Sequence, residues 1–438
     1  MSQRPVLVVG AGLAGLSAGI ELARAGHSVM VIDQAMQIGG AIHRQPLPEL
    51  RRKTSAAHAR RWQALRGELD NFKHKITLCT QTRFGGLDST GLAILTGFCA
   101  SGSIRPVALV LATGARERVQ PRPGWTLPGV ITAGAIQIQL KTLGSPPDPS
   151  VLLAGSGPLL LAVGAELCKA GRPPLAIVEA AQPFAHPLQA LQLPWVYWRE
   201  AVGYMSILMA ARVPLLTGSH LTMIAETAEG LKATVQTPSG VKEIVAGLVG
   251  LHDGISPNDT GLPDKADLPM LRVGDCREAL GARAALADGR AGGRRLAAML
   301  AEKPEPPDVA RDLACEVRAQ RLLKRIYQHD GESLLSQLPD HTVLCRCEGK
   351  TLGDLKALGS NPTVRELRLD GRFGMGPCQG RFCAEWVKRL SGFQADPDTS
   401  QRNDNIGQIG TTRWPIRPIA IADLLSISTP LNENNLKP

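Results

Sequence analysis

Four cysteines near the end of the 438-residue chain carry the side chains best suited to bind a metal. They form Cys345-Arg-Cys347 and, 30 residues later, Cys378-Gln-Gly-Arg-Phe-Cys383. Thiolates at such spacings can bring four soft ligands to one site, either an iron–sulfur cluster or a structural zinc ion. The glycine-rich stretch 374–376 before this second group lets the backbone turn tightly and point amides at the sulfurs.

A glycine motif near the N-terminus is the second pattern that could do chemistry. It reads Gly10-Ala-Gly12-Leu13-Ala14-Gly15. Gly10 permits a tight turn, Gly12 lets the backbone approach a pyrophosphate, and Gly15 allows close helix packing. Free amides at the start of the following helix attract the phosphates. Asp33, 23 residues beyond Gly10, can accept from ribose hydroxyls. The motif predicts a bound dinucleotide.

A less complete copy of this motif occurs in the middle of the chain. Gly155-Ser-Gly157 is followed by Leu160 at the third glycine position, and Glu179 stands where an acid could hold a ribose. The copy could bind NAD, another adenine nucleotide or no nucleotide, because glycines between a strand and a helix can be purely structural.

Each glycine motif lies between apolar segments that predict a β-α-β unit. Strands 6–9 and 28–33 flank a helix at 13–25, and strands 151–154 and 175–179 flank a helix that runs to about residue 170. Two such units imply two nucleotide-binding folds. The later segment 270–275 leads into a predicted helix at 279–301, so the chain returns to its first domain.

The best domain boundary is the polar, proline-rich stretch Glu302-Lys-Pro-Glu-Pro-Pro-Asp308. We predict a discontinuous first nucleotide-binding domain and a second nucleotide-binding-like domain, then a linker, a four-cysteine domain and an extended tail. The boundaries, in that order, are 1–115 with 262–302, 116–261, 303–308, 309–395 and 396–438.

Three short signals accompany the first glycine motif: Gly39-Gly40, Ala112-Thr113-Gly114 and Gly274-Asp275-Cys276. Together and in this order they resemble the two-dinucleotide-fold FAD oxidoreductases. The resemblance implies an α/β fold with FAD in the first domain. It also implies that Asp275 bonds the ribityl chain, with a simple turn aspartate as the alternative.

The cysteine block resembles the [2Fe-2S] domain of bacterioferritin-associated-ferredoxin-like proteins, and it favours a cluster over zinc. With the FAD core, the linker and the trailing Arg413-Trp-Pro415-Ile-Arg417-Pro418, the chain resembles the larger subunits of heteromeric opine and D-hydroxyproline dehydrogenases. The second subunit of hydrogen cyanide synthase has the same layout. The resemblance implies cluster ligands at Cys345, Cys347, Cys378 and Cys383.

The same resemblance implies partners. They are an FAD subunit similar to D-amino-acid oxidases, which oxidises the C–N bond of the substrate, and in some complexes a small [2Fe-2S] subunit or an FMN between subunits. Electrons then pass to a quinone or another acceptor. Two alternatives stay open: a self-contained NAD(P)H-dependent flavin and iron–sulfur reductase, and a non-catalytic scaffold subunit. No catalytic residue is assigned in this chain.

One segment departs from the resemblance. Relatives carry a glycine-rich turn where this chain has Gly250-Leu-His252-Asp253-Gly-Ile255, which weakens the prediction of a second nucleotide. His252 and Asp253 could form an acid/base pair, but neighbouring side chains often diverge, so a loop or strand end is favoured. The aromatic stretch 195–209 is interpreted as a core helix, with a partner-docking helix or lid as the alternative.

Composition excludes several classes of protein. The net charge is +10, but the basic residues are scattered and only 4% of residues are aromatic, so we expect no nucleic-acid partner. Nine cysteines in a chain of this length do not form a disulfide scaffold. No stretch approaches the ~20 apolar residues that a membrane span needs. We expect a cytoplasmic protein, with peripheral association with the inner membrane as the alternative.

Overall fold

The computed structural model describes residues 4–47, 56–304, 310–392, 415–425 and 431. The chain divides into two compact units. The first unit comprises 1–116, 256–318 and 412–438, and the second comprises 117–255 and 319–411. Most of the predicted linker and of the predicted extended tail, including Arg413, lies outside the described residues.

Residues 4–117 build most of the first unit from alternating strands and helices. β1, β2 and β7 are buried at every position, as parallel strands covered on both faces must be. The elements are β1 (Val6–Val9), α1 (Leu13–Arg24), β2 (Val29–Ile32), α2 (Ala56–Asn71), β3 (Ile76–Cys79), β4 (Thr82–Leu87), β5 (Ala93–Gly97), β6 (Gly102–Ile104), β7 (Ala108–Leu111) and β8 (Ala115–Glu117).

Residues 130–257 repeat the β-α-β plan and insert an antiparallel sheet before the chain returns. The elements are β9 (Val130–Thr132), α3 (Ala133–Leu143), β10 (Val151–Gly155), α4 (Pro158–Lys169), β11 (Ala176–Glu179), α5 (Pro187–Leu191), α6 (Trp195–Ala210), β12 (Leu215–Thr217), β13 (His220–Thr227), β14 (Gly230–Thr237), β15 (Gly240–Ala246), β16 (Leu248–His252) and β17 (Ile255–Pro257). The parallel sheet of this unit has the order β12-β11-β10-β16-β9.

β18 (Met270–Arg272) and α7 (Ala282–Leu300) complete the first unit. β18 pairs with β7, so the first parallel sheet has the order β18-β7-β1-β2-β3. Helix α7 packs closely on α1 through glycines: a Cβ added at Gly289 would lie 2.3 Å from the Ala14 carbonyl oxygen. As predicted, the chain returns to its first nucleotide-binding domain, and it does so through strand β18 and helix α7.

The part of the second unit that carries the four late cysteines is built from short elements: Cys345 ends a strand, and Cys347, Cys378 and Cys383 lie in turns. Thr351 and Thr363 begin two of its helices with capping boxes, in which side chain and backbone satisfy each other at the helix start. The elements after residue 309 are α8 (Ala310–Ile326), α9 (Gly331–Ser336), β19 (Val343–Cys345), β20 (Lys350–Thr351), α10 (Leu352–Lys356), α11 (Val364–Leu369), α12 (Ala384–Leu390) and, in the first unit, α13 (Ile421–Leu425).

Helix α6 is not the expected core helix. Leu208 is its one fully buried residue, whereas Trp195, Val202 and Met209 are 77%, 61% and 70% exposed. The core interpretation of this stretch is wrong, because its apolar residues surround the helix instead of forming one face. None of the described helices combines the length and apolar composition that a membrane span requires.

Candidate functional site

The first glycine turn joins β1 to α1. Gly10 has a φ of +111°, and a Cβ added there would lie 2.3 Å from the Ala112 carbonyl oxygen. At Gly15 an added Cβ would lie 1.8 Å from the Gly10 carbonyl oxygen. Both positions therefore need glycine. The carboxylate of Asp33 accepts from the Ala11 amide at 2.7 Å, so the acid lies directly beside the turn.

The second glycine of this turn has free space beside it. Gly12 is half-buried, and the nearest atom to an added Cβ would be the Gly40 Cα at 3.8 Å. Gly40 itself has a φ of +64°, and the Gly39 amide donates to the Ala11 carbonyl at 2.8 Å. The predicted Gly39-Gly40 pair thus borders the turn, and the backbone of Gly12 is accessible to a phosphate.

The predicted Ala112-Thr113-Gly114 turn lies against the same glycine motif through Ala112. The Thr113 hydroxyl donates to the Asn258 carbonyl at 2.7 Å, and the Asn258 amide donates to the Gly114 carbonyl at 2.9 Å. Asn258 was not predicted from the sequence. Its position just after the second fold is the one signal that could have indicated it.

The predicted Gly274-Asp275 pair lies at the N-terminal end of α1. A Cβ added at Gly274 would lie 2.5 Å from the Ala14 Cβ. Asp275 Oδ1 accepts from the amides of Leu280 and Gly281 at 2.9 and 2.8 Å, and burial raises the pKa of its carboxyl group. The hydrogen bonds tie Asp275 to the start of α7, while its bond to a ribityl chain stays a prediction.

Asp288 is a second acid here that sequence reasoning missed. It accepts from the Gly274 amide at 2.6 Å and pairs with Arg277 at 2.8 Å. Its place inside a helix, away from any motif, gave no signal. Together with the glycines it fixes the Gly274 turn against α1, and the small, accessible turn residues of this unit fit FAD.

The second glycine turn, between β10 and α4, has the same plan with different surroundings. Gly155 and Gly157 have φ values of +137° and +133°. The Glu179 carboxylate accepts from the Gly157 amide at 3.0 Å and from the Ala181 amide at 2.9 Å. Burial raises the pKa of Glu179. The structure therefore places all three predicted residues at one turn.

His252 and Asp253 lie beside this second turn but point to different partners. His252 ends β16, and its Nδ1 lies 2.9 Å from Glu117 Oε1. Asp253 instead accepts from Arg122 at 2.5 Å. The expectation of a strand end is confirmed, and the two side chains are not an acid/base pair with each other.

The four late cysteines form two neighbouring pairs in the second unit. A hydrogen bond from the Cys383 thiol lowers the pKa of Cys345 to about 6 against the effect of burial, and amides of Gly374, Glu348 and Cys347 add to it. The same contact raises the pKa of Cys383. Cys347 and Cys378 form the second pair, and burial raises the pKa of Cys347.

The backbone approaches these thiols closely at Gly376. A Cβ added at Gly376 would lie 2.3 Å from the Cys347 Cβ, so this position needs glycine. In the part of the chain that the structure describes, no three potential ligands already meet in metal-binding geometry. Four thiols with amides directed at their sulfurs nevertheless fit the donor set of a cluster or a soft metal ion. Cys315, by contrast, is exposed.

Comparisons with known proteins identify the family of this chain. Residues 4–277, more than half of the chain, match the pyridine nucleotide-disulphide oxidoreductase family. The A subunit of opine oxidase from Agrobacterium tumefaciens strain Ach5 is 30% identical over an alignment 473 positions long, which covers 96% of this chain and 91% of that protein. The HcnB subunit of hydrogen cyanide synthase from Pseudomonas aeruginosa is 28% identical over an alignment 479 positions long, which covers 98% of this chain and 100% of that protein.

Among solved structures, L-proline dehydrogenase from P. horikoshii shares the fold. The TM-score is 0.59 at 14% sequence identity, with 96% of this chain and 79% of that chain covered. The predicted α/β fold with two dinucleotide-binding domains is confirmed, and the small C-terminal [2Fe-2S] domain stays a prediction. The chain is a two-dinucleotide-fold FAD oxidoreductase of the pyridine nucleotide-disulphide oxidoreductase family, and it belongs with the A subunits of opine oxidases.

Proposed function

We propose that this chain is the FAD and [2Fe-2S] subunit of a heteromeric dehydrogenase that oxidises the C–N bond of an opine, D-hydroxyproline or a related amino or imino acid. The observation that carries the proposal is the likeness to opine oxidase A subunits over 96% of the chain. The amide-surrounded group of four thiols supports it. The relatives are named as subunits, which supports a partner for this chain.

The reaction fixes what each component must supply. Oxidation of a C–N single bond to C=N releases two electrons and two protons, and water then hydrolyses the imine. FAD supplies an acceptor for an electron pair, and a [2Fe-2S] cluster supplies a carrier of single electrons. The partner, an FAD subunit similar to D-amino-acid oxidases, holds the substrate. A quinone or another acceptor receives the electrons, through a small [2Fe-2S] subunit where one is present.

The residues of this chain bind and orient these groups. Gly12 leaves its backbone open to the pyrophosphate, and the Asp33 carboxylate lies beside the turn to meet a ribose. Amides around Cys345 stabilise negative charge on the sulfurs. The proposed FAD-binding residues are Gly10, Gly12, Leu13, Ala14, Gly15, Asp33, Gly39, Gly40, Ala112, Thr113, Gly114, Gly274 and Asp275, and the proposed cluster ligands are Cys345, Cys347, Cys378 and Cys383.

The first experiment is an anaerobic visible spectrum of the purified chain before and after addition of NADH, and then of dithionite. We expect a flavin band and cluster absorption that dithionite bleaches and NADH does not. Octopine, nopaline and D-hydroxyproline should bleach the flavin only after the chain is combined with its native partner subunit. Rapid bleaching by NADH alone would instead establish the self-contained reductase.

Metal and flavin analysis on the same sample separates the remaining alternatives. Iron and sulfide at about two each per chain, with a paramagnetic signal on reduction, are expected for a [2Fe-2S] cluster. Stoichiometric zinc would contradict the cluster. Bound flavin that dithionite cannot reduce would indicate a scaffold subunit. Chromatography of the flavin released from the assembled complex would show whether an interfacial FMN accompanies FAD.

A further inference from the structure

The glycine turn of the second nucleotide fold is covered by the chain itself. Gly155, Ser156 and Gly157 are all buried, whereas Gly10 and Gly12 of the first fold are half-buried. The Ser156 hydroxyl donates to the Tyr327 carbonyl at 3.2 Å, just after the end of α8. A pyrophosphate must reach the amides of such a turn, so a covered turn cannot take one.

The imidazole of His252 fills the space that the missing side chain of Gly157 leaves. A Cβ added at Gly157 would lie 3.2 Å from His252 Nε2. The His252 side chain is only 4% exposed and cannot turn away freely, since its Nδ1 is bonded to Glu117, which also accepts from the Gly134 amide. The matching position in the first fold has no such ring, because Gly12 faces the Cα of Gly40.

The acid that would hold a ribose is enclosed by the same segment. Glu179 is 2% exposed, and burial together with the negative charge of Glu179 raises the pKa of Tyr327. The ring of His329 follows two residues later and lies 6.1 Å from the ring of His220. Tyr327 and His329 therefore occupy the surroundings that an adenosine would need.

Hydrogen bonds join the second nucleotide fold to the cysteine-bearing part of the second unit. The Gln120 side-chain amide donates through Nε2 to the Gly331 carbonyl at 2.9 Å. The Trp125 indole donates to the Val343 carbonyl at 2.6 Å, two residues before Cys345. Both contacts lie on the path from the covered turn to the first cysteine pair.

The C-terminal end of the cysteine block, at Cys383, is contacted by the same fold. Arg118 forms a two-bond ion pair with Glu385, with Nε–Oε2 at 3.1 Å, and stacks over the Trp386 ring at 5.3 Å. These two residues open helix α12 directly after Cys383. The second fold thus contacts the chain beside both ends of the cysteine block.

We propose that the second nucleotide fold has become a platform for the cysteine-bearing part of the chain, with the segment Tyr327–Gly331 seated on its glycine turn in place of a dinucleotide. The inference does not depend on the substrate or on the partner subunit. It selects the purely structural alternative for Gly155, Gly157 and Glu179.

Nucleotide analysis tests the closed turn on the full chain. Nucleotides released by denaturation should comprise flavin and no second adenine nucleotide, and calorimetry with NAD⁺, NADH and ATP should give Kd values above about 1 mM. One equivalent of any of these nucleotides, released or bound tightly, would overturn the proposal.

Hydrogen exchange tests the platform independently. Trp125→Phe and Ser156→Ala each remove one donor, and we expect about fivefold faster amide exchange in 327–331 and 343–347. Trp195→Phe is the matched control, because Trp195 is 77% exposed on α6. The flavin spectrum should stay unchanged in all three variants. Unchanged exchange in both test variants would refute the seating of this segment.

Discussion

The two nucleotide folds share their plan and differ in what surrounds their glycine turns. Each has a five-stranded parallel sheet. In each, an acid at the end of the second strand accepts a hydrogen bond from a backbone amide of the turn: Asp33 from Ala11 at 2.7 Å and Glu179 from Gly157 at 3.0 Å. The glycines of the first turn are half-buried, and Gly12 has free space on the side of Gly40. The glycines of the second turn are buried, and the ring of His252 lies against Gly157. A strand–glycine–helix motif therefore specifies a fold, and residues far along the chain decide whether a ligand can enter.

The largest expected effect is a loss of bound iron without a loss of bound flavin. Cys378→Ser should remove essentially all iron, since a [2Fe-2S] cluster needs four ligands, while FAD content stays unchanged. Cys315→Ser is the control, because Cys315 is exposed. Iron and flavin assays on purified variants check this. Full iron content in the Cys378 variant would exclude it as a ligand.

A buried ion pair gives the next largest effect and belongs to the second fold alone. Asp253 and Arg122 are 8% and 9% exposed, so Asp253→Ala leaves the buried guanidinium of Arg122 without its carboxylate and should cost about 3–5 kcal/mol of unfolding free energy. The exposed pair Asp148–Arg172 supplies the control Asp148→Ala, for which we expect no measurable change. Urea unfolding followed by circular dichroism measures both, and equal effects would contradict the prediction.

The second glycines of the two turns should respond in opposite ways. Gly12→Ala fits the protein but places a methyl group where the pyrophosphate approaches, so FAD affinity should fall at least about tenfold, or ~1.4 kcal/mol. Gly157→Ala should leave FAD content intact and cost about 1–3 kcal/mol in stability, because its φ is +133°. Flavin fluorescence titration and thermal unfolding distinguish them. Loss of FAD in the Gly157 variant would break the comparison.

The smallest expected effect is a pH dependence at the closed turn. Burial raises the pKa of Glu179, so its contribution to stability is present below the unfolded pKa and is lost as pH rises through the folded pKa. The unfolding free energy of the native chain relative to Glu179→Gln should therefore increase as pH falls from about 7 to 4. Urea unfolding at several pH values measures it. A difference independent of pH would mean that the turn is hydrated.

Local pattern was enough to predict the first β-α-β unit, because strand and helix periodicity are properties of neighbouring residues. β1 has the predicted bounds, and α1 ends at Arg24, one residue before the predicted end. The cysteine spacing predicted four ligands at one site, and the structure places these cysteines in two neighbouring pairs, Cys345 with Cys383 and Cys347 with Cys378. The cofactor roles assigned to these residues stay predictions.

The closing of the second turn could not be predicted from the sequence. It depends on the contact between Ser156 and Tyr327, which are 171 residues apart, and on the His252–Glu117 pair, 135 residues apart. Helix α6 shows a different limit. Its aromatic composition indicated a core, but composition does not fix which side chains face solvent. Two signals in the sequence pointed to an altered site: Leu160 at the third glycine position and the replaced glycine-rich turn at 250–255.

The discontinuous first unit has a consequence for synthesis of the protein. β18 pairs with β7, and α7 covers α1, yet both elements come from residues 270–300. Translation proceeds at ~5–20 residues per second. The first parallel sheet therefore lacks β18 and α7 for about 10–40 s while the ribosome synthesises the second fold. During that time the apolar surface of α1 is uncovered and β7 has an open edge. We therefore expect FAD to load only after the second fold has been synthesised, and the nascent chain to be prone to aggregation until α7 covers α1.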